Sequence, residues 1–228
     1  MIEPLAWDSA FFGLRVGRLR PGAADSTDVA TLTGFDCVYV ELDAADPDAL
    51  RRWKARGARL VDTRVELVAA VTHDSRPATV VEAVPSWSPQ DREAAAALAV
   101  ELSRWSRFGQ DPAFASRAAD LYRCWIDAAF AGTHGTLACR DAGEIVALLT
   151  HRLDGSTAWI ELLVVREDAR GRGFGSALVS EHLRRAAASG AHWARVRTQQ
   201  RNAGAVRTYE RAGFTVAATT HVLHWWLR

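Results

Sequence analysis

The chain has 228 residues, of which 49% are apolar and 24% charged. That is the balance of an ordinary soluble globular protein, long enough for one large domain or two small ones. A formal net charge of +1 gives no general attraction to nucleic acid or anionic membrane, and no apolar run approaches the ~20 residues of a membrane helix. The opening Met1-Ile2-Glu3-Pro4 lacks the basic and apolar regions of a secretory signal. Cys37, Cys124 and Cys139 lie far apart without a CxxC pair, so no metal site or disulfide framework is expected, and a cytoplasmic setting is. Nine tryptophans read first as core aromatics and second as pocket lining.

In chain order, Cys37–Leu42 (CVYVEL) and Leu60–Val71 read as strands, and Pro47–Arg56 between them as an amphipathic helix closed by Gly57. The polar stretch Thr72–Pro77 marks a break, dividing the chain into 1–76 and 77–228. A strand is expected at Thr79–Ala83, then a helix from Pro89 to about Leu102 with acidic residues near its positive end. Ala118, Leu121, Tyr122, Trp125 and Ala129 recur at helical spacing within Ala115–Phe130. Leu137–Cys139, Ile145–Leu153 and Trp159–Val165 read as strands joined by tight turns. A helix over Gly175–Ser189, a strand over Trp193–Thr198, a helix over Asn202–Ala212 and a strand over Phe214–Trp226 follow. The order describes an α+β, mixed α/β sheet with helices on its faces.

Arg170-Gly171-Arg172-Gly173-Phe174-Gly175 lies between a buried strand and an amphipathic helix. Glycines let a backbone approach a ligand closely, and the open amides of a helix's first turn favour an anion. With two arginines beside them, a diphosphate is the natural guest. A dinucleotide loop would open a long βαβ series, and here about one further unit remains. A P-loop would need a lysine where Phe174-Gly175-Ser176 has none. A purely structural turn remains the plain alternative.

The pattern Arg-x-x-Gly-x-Gly, followed by Ser176-Ala177-Leu178 and, later, by Asn202 and Tyr209-Glu210-Arg211-Ala212-Gly213-Phe214, resembles the acyl-CoA motifs of the GNAT (GCN5-related) acetyltransferase superfamily over about Thr79–Arg228. The resemblance implies a central mixed sheet with a splayed strand pair, acetyl-CoA as co-substrate and no metal. It implies contacts to acetyl-CoA from Arg170, Gly171, Arg172, Gly173, Phe174, Gly175, Ser176 and Asn202. Backbone groups of Leu163, Val164 and Val165 would pair with the pantetheine arm and supply an oxyanion donor, which requires an unpaired strand edge. Tyr209 lies seven residues from Asn202 and so shares its helix face. Its phenol is implied as the general acid for the departing thiolate, with a half-buried core aromatic as the other reading. Glu161, expected on the same strand face as Leu163, is a candidate base, and a solvent-facing glutamate is equally open. Asp62 is a second candidate base. His134, His151 and His224 read as surface or core residues rather than catalytic ones.

Ile2–Gly13 (IEPLAWDSAFFG), Ser106-Arg107-Phe108, Tyr122, Trp125-Ile126 and the ending Asn202–Arg228 resemble the bacterial TDP-fucosamine acetyltransferase family. This extends the likeness over nearly the whole chain. It implies a truncated GNAT-like half over 1–76, a GNAT domain over 77–228, and as acceptor the amino group of a nucleotide-linked amino sugar, a dTDP-4-amino-4,6-dideoxyhexose. Arg107 and Phe108 would lie near that acceptor; a helix-end arginine and a core phenylalanine are their plain readings. Thr208 stands where the family has a basic residue and Glu161 where it has glycine, which leaves the exact sugar open. Another small amine (an aminoglycoside, a polyamine or a peptide N-terminus) and a non-catalytic acetyl-CoA-binding module are the alternatives, although no acidic cluster calls for a polyamine. Trp225 and Trp226 could sit at a homodimer interface or in the core against the last helix.

Overall fold

The computed structural model describes residues 2–22, 34–72, 81–83, 87–133 and 135–227. Residues 2–19, which carry no clear periodicity, form strand β1 (Glu3–Pro4), helix α1 (Ala6–Phe12) and strand β2 (Val16–Leu19). Strand β3 (Cys37–Asp43) has six consecutive buried residues, as a strand covered on both faces must. Helix α2 (Pro47–Ala55) starts where the Asp46 carboxylate accepts the Ala49 N–H at 2.9 Å, and β4 (Arg59–Ala70) follows.

Beyond residues 73–80, which lie outside the described residues, β5 is limited to Glu82–Ala83. Val81 is described and lies outside the strand, whereas positions 79 and 80 of the strand expected from Thr79, and the boundary expected near residue 76, fall outside the described residues. Helix α3 (Pro89–Ser103) is capped by Ser88. The helix expected over Ala115–Phe130 is the shorter α5 (Ala118–Ala128), preceded by a separate short helix, α4 (Pro112–Ala115), and followed by a wide turn at Ala129–Thr133 in which Gly132 has φ 94°. Asp111 caps the start of α4, its carboxylate accepting the Ala113 N–H at 3.1 Å. Strands β6 (Gly135–Asp141), β7 (Glu144–Asp154) and β8 (Thr157–Val165), helix α6 (Phe174–Ala188), strand β9 (Trp193–Gln199), helix α7 (Ala203–Arg211) and strand β10 (Thr215–Trp226) complete the chain.

Among the described residues, ten strands form one sheet in the order β1-β2-β3-β10-β4-β9-β8-β7-β6-β5. The pairs β2–β3 and β8–β9 are parallel and the others antiparallel, so this is the mixed α/β sheet expected. The last strand of the chain sits between β3 and β4 and is hydrogen-bonded to both. Helices α6 and α7 cover one face through Leu178, Val179 and Tyr209, which pack with Leu137, Val146, Ile160, Val196 and Phe214. Helices α3 and α5 cover the other through Ala95, Ala99 and Ile126 against Leu148 and Val164. Trp225 packs edge-on against Trp53 and donates to Arg56 O at 2.9 Å, and Trp226 donates to Asp111 at 3.1 Å. Both indoles therefore serve packing inside the chain. Among the described residues no helix is long and apolar enough to cross a membrane.

Candidate active site

The site is built where two strands part. β8 and β9 pair in parallel from Thr157 with Trp193 to Ile160 with Val196, and no farther. Beyond that point β8 keeps its other neighbour, up to Val165 opposite Ala147, while β9 stays on β4, up to Gln199 opposite Arg64. Leu162–Val165 thus presents an edge without a strand partner on the β9 side. A bulge starts the divergence. Thr150 pairs with Leu162 and His151 with Ile160, so Glu161 is the extra residue, and an extra residue bends and twists its strand.

The bulge also corrects a sequence expectation. Strict alternation places Glu161 with Leu163, but Leu163 packs with Ile160 and Val165 on the α6 side, whereas Leu162 and Val164 face α3. The Glu161 carboxylate accepts from Arg152 Nε at 2.6 Å, and Arg152 lies over Trp159, on the face opposite Leu163.

After β8 the chain passes through a 3₁₀ turn (Glu167–Ala169) into the glycine loop. Gly171 has φ 78° and Gly173 φ 89°, left-handed values that a side chain would strain. Gly173 is the N-cap of α6, with no side-chain capping bond. The first-turn amides and the helix dipole therefore face outward. Arg170 Nε donates to Val165 O at 3.2 Å and its guanidinium lies 3.7 Å from Glu101. Arg172 pairs with Asp141 at 2.7 Å. A cavity of about 560 Å³ opens over this loop, lined by Leu163–Val165, Arg170, Gly171, Gly173–Ser176 and Asn202. Arg172 alone of the expected donor contacts stands off it, drawn to Asp141. The cradle suits a close ligand: a Cβ on Gly175 would meet Val165 and Thr208 only at 3.5 and 3.8 Å, and one on Gly171 or Gly173 would meet nothing within 4 Å.

On the other side of the splay a second cavity of about 640 Å³ brings together Asp62, Arg107, Phe108, Glu161 and Tyr209, which lie up to 147 residues apart in sequence. The two cavities share Leu102, Trp105, Leu163, Gln199, Asn202 and Ala205, so they meet at the gap between β8 and β9. Asn202 is the N-cap of α7, its Oδ1 accepting Ala205 N–H at 3.1 Å. Tyr209 is 3% exposed and packs on Phe214 at 5.7 Å; burial pushes its pKa up. Asp62 is 8% exposed, and its Oδ1 has no hydrogen-bond partner among the described residues. Burial raises the Asp62 pKa against the pull of Arg201, the Thr63 N–H, Arg107 and Arg64. The Arg107 guanidinium lies 4.2 Å from the Tyr39 ring centroid and 4.5 Å from that of Phe108. Phe108 is buried among Phe12, Tyr39 and Phe114.

Sequence reasoning missed Arg18, Arg64, Arg197 and Gln199, which line the same cavity. They are spread over three strands, β2, β4 and β9; the signal available was charge at alternate positions, Arg64 and Glu66 in β4 and Arg195 and Arg197 in β9, marking one polar sheet face. His224 is fully buried against Asp111, and His151 packs on His182. Neither lines the two cavities, and His134 lies outside the described residues. Among the described residues no group of three or more His, Cys, Asp or Glu could hold a metal ion.

A mixed sheet splayed beside a glycine loop defines a class of transferase, and the comparisons name it. The chain belongs to the Acetyltransferase (GNAT) family, whose profile matches residues 99–214. It is an N-acetyltransferase with acetyl-CoA as donor. Over 229 residues it is 32% identical to the dTDP-fucosamine acetyltransferase of Escherichia coli O6:H1, covering 98% of this chain and 97% of that one. Its fold is similar to that of a GCN5-related N-acetyltransferase from Sphaerobacter thermophilus, with a TM-score of 0.61 and 21% identity. That likeness covers 84% of this chain but only 60% of that longer one. A GNAT-family acetyltransferase from Novosphingobium aromaticivorans matches at a TM-score of 0.59 with 20% identity, over 93% of this chain and 84% of that one.

Proposed function

We propose that the chain acetylates the amino group of a nucleotide-linked amino sugar, a dTDP-4-amino-4,6-dideoxyhexose, in the cytoplasm. The observation that carries this reading is the meeting of the two cavities at the β8–β9 gap, with a carboxylate that keeps one oxygen unpartnered, Asp62, and a buried phenol, Tyr209, both lining the acceptor side. Likeness to the dTDP-fucosamine acetyltransferase of E. coli along nearly the whole chain supports the acceptor.

The first-turn amides of α6 and Arg170 would hold the diphosphate of acetyl-CoA, and the free edge of Leu163–Val165 would pair with its pantetheine amides. Bound there, acetyl-CoA supplies an acetyl group already activated as a thioester. Asp62 takes a proton from the acceptor's ammonium, leaving the amine free to attack. Asp62 suits this better than Glu161, whose charge is committed to Arg152 at 2.6 Å. Backbone N–H groups of the free β8 edge face the carbonyl oxygen as it gains charge. As the C–S bond breaks, Tyr209 delivers its proton to the departing sulfur, and the second proton of the acylated nitrogen, passed through solvent, restores the phenol; the upward shift of its pKa keeps the phenol protonated until the sulfur departs.

A polyamine or aminoglycoside acceptor is disfavoured, because the acceptor cavity carries four arginines against two acids and repels polycations. The test is release of free thiol from acetyl-CoA with a panel of dTDP-amino sugars, polyamines, aminoglycosides and peptides. Turnover confined to the sugar nucleotides is the expected result. Turnover with another amine class alone would overturn the acceptor, and none with any amine would favour a binding module.

A further inference from the structure

The acceptor cavity holds more cationic charge than acetyl transfer requires. Its four arginines are Arg18, Arg64, Arg107 and Arg197. Three of them have carboxylate partners outside the cavity lining: Arg18 with Glu3 at 2.6 Å, Arg64 with Glu41 at 3.2 Å, and Arg197 with Glu66 at 2.7 Å. Glu66 is shared with Arg195 at 2.6 Å, which leaves a positive excess there. No carboxylate lies within ion-pair distance of Arg107 among the described residues; two aromatic faces orient it instead. Arg64 also lies in the field of both Arg107 and Arg197. The Arg64 pKa is lowered by burial first, and Arg107 and Arg197 add to that against Glu41. Like charges held together in a half-enclosed cleft repel until an anion lies between them.

The cleft is also long. Its lining runs from Glu161 on β8 through Arg197 on β9, Arg64 on β4 and Val222 on β10 to Arg18 on β2. That is five strand spacings, about 24 Å along the sheet at ~4.8 Å each, several times the width of a monosaccharide. None of these four arginines lines the cavity over the glycine loop, so their charge is separate from the donor's own diphosphate site.

Resting on the acceptor class proposed above, we infer that Arg64, Arg107 and Arg197 form a diphosphate subsite for the acceptor. The nucleoside diphosphate lies across the sheet towards Arg18, and the sugar amine is delivered to Asp62. The cleft then complements both charges of a nucleotide-linked amino sugar: the diphosphate meets the guanidiniums, whose planar forks match phosphate oxygens, and the ammonium meets the carboxylate. Arg107 is the specificity determinant, since it alone of the cavity arginines has no internal anion.

Thymidine diphosphate is the probe, titrated by calorimetry into the protein saturated with CoA so that the donor loop is already filled. Wild type is expected to bind it, and more weakly as salt rises. Arg107→Gln is expected to weaken binding at least tenfold, and to raise the acceptor KM at least tenfold with kcat within about twofold, while affinity for acetyl-CoA is unchanged. Failure of the CoA-loaded wild type to bind millimolar thymidine diphosphate, or equal binding by Arg107→Gln, overturns the subsite. Should Arg107→Gln lose acetyl-CoA binding through misfolding, Arg197→Gln on the exposed rim carries the same test. The two readings fail differently. Thiol release from sugar nucleotides that is insensitive to both substitutions sinks the subsite and keeps the acceptor. Thymidine diphosphate binding that depends on Arg107, without transfer to any sugar nucleotide, keeps the subsite and sinks the acceptor.

Discussion

Ile160 of β8 and Val196 of β9 are the last register partners before the two strands separate. The next β8 residue, Glu161, is the bulge that turns β8 away. Everything in the site takes its place from that parting. Asp62, Arg64 and Arg197 lie on the sheet face that forms the acceptor cleft, the glycine loop continues from β8, and Tyr209 of α7 lines the cleft from beside the gap.

The glycine loop yields two predictions of opposite sign. Gly175→Ala adds a methyl at ordinary contact distance from Val165 and Thr208, in a helical residue. It should therefore stabilise the chain by about 0.5–1 kcal/mol while filling space that a bound diphosphate needs. A melting temperature raised by a few degrees with acetyl-CoA affinity at least ~tenfold weaker is the expected pair of results. Gly173→Ala forces a side chain to φ 89° and should instead cost roughly 1–2 kcal/mol. Thermal melts and calorimetry on both variants separate the effects; unchanged affinity in Gly175→Ala would remove the loop from the donor site.

Tyr209→Phe keeps the ring that packs on Phe214 at 5.7 Å and removes the hydroxyl that would carry the proton. Stability and the KM for acetyl-CoA should hold, while kcat falls by about 10²-fold or more. Steady-state thiol release measures it, and an unchanged kcat would exclude the phenol as the acid.

Asp62→Asn should cost activity and add stability. Burial raises the Asp62 pKa, so the folded chain holds that proton more tightly than the unfolded chain. Stability is therefore lost as pH rises from the ordinary carboxylate range through the raised pKa, and the ionised group is a burden at neutral pH. The amide removes that burden, and a higher melting temperature at pH 7.5 is expected. Turnover should fall by about 10²-fold, and the decline of wild-type activity on the acid side should disappear from the pH profile. A variant less stable than wild type would contradict the sign.

Two buried histidines set the acid sensitivity of the fold. Burial pushes His224 down to about 4 despite its bond to Asp111, and burial with the neighbouring His151 pushes His182 down to about 3. Both pKa values lie below that of the unfolded chain, so unfolding takes up protons once the pH drops under about 6.5. Stability is fully present above that pH and is lost as pH falls towards 4. Urea midpoints at pH 7.5 and 5.0 should show the loss, and His182→Leu should reduce it. Equal midpoints in the wild type would refute the linkage.

Much of the fold can be read along the chain. Helix α2 starts at Pro47 and ends within a residue of its sequence reading, because an Asp46 cap and Gly57 mark it locally. Helix α6 starts one residue before Gly175, and α7 one residue after Asn202. The helix expected over Ala115–Phe130 is shortened to Ala118–Ala128, because the end of α4 at Ala115 and the turn at Gly132 are set over a few residues that apolar periodicity does not register. The strands β1 and β2 are short and become strands only by pairing with each other and with β3.

By itself the sequence determined a glycine loop opening a helix, since glycine conformation, helix-end amides and flanking arginines are all properties of adjacent residues. It also placed Asn202 at the start of the helix that carries Tyr209, because cap and helical period are local, and both residues line one cavity. The tertiary structure alone decided that Asp62 keeps one oxygen unpartnered among the described residues, that Arg172 turns to Asp141 rather than to the loop cavity, and that β10 closes between β3 and β4. It also brought Arg18, Arg64, Arg107 and Arg197 around one cleft. Strand order and side-chain charge partners are settled between residues tens to hundreds of positions apart, where no local pattern records them.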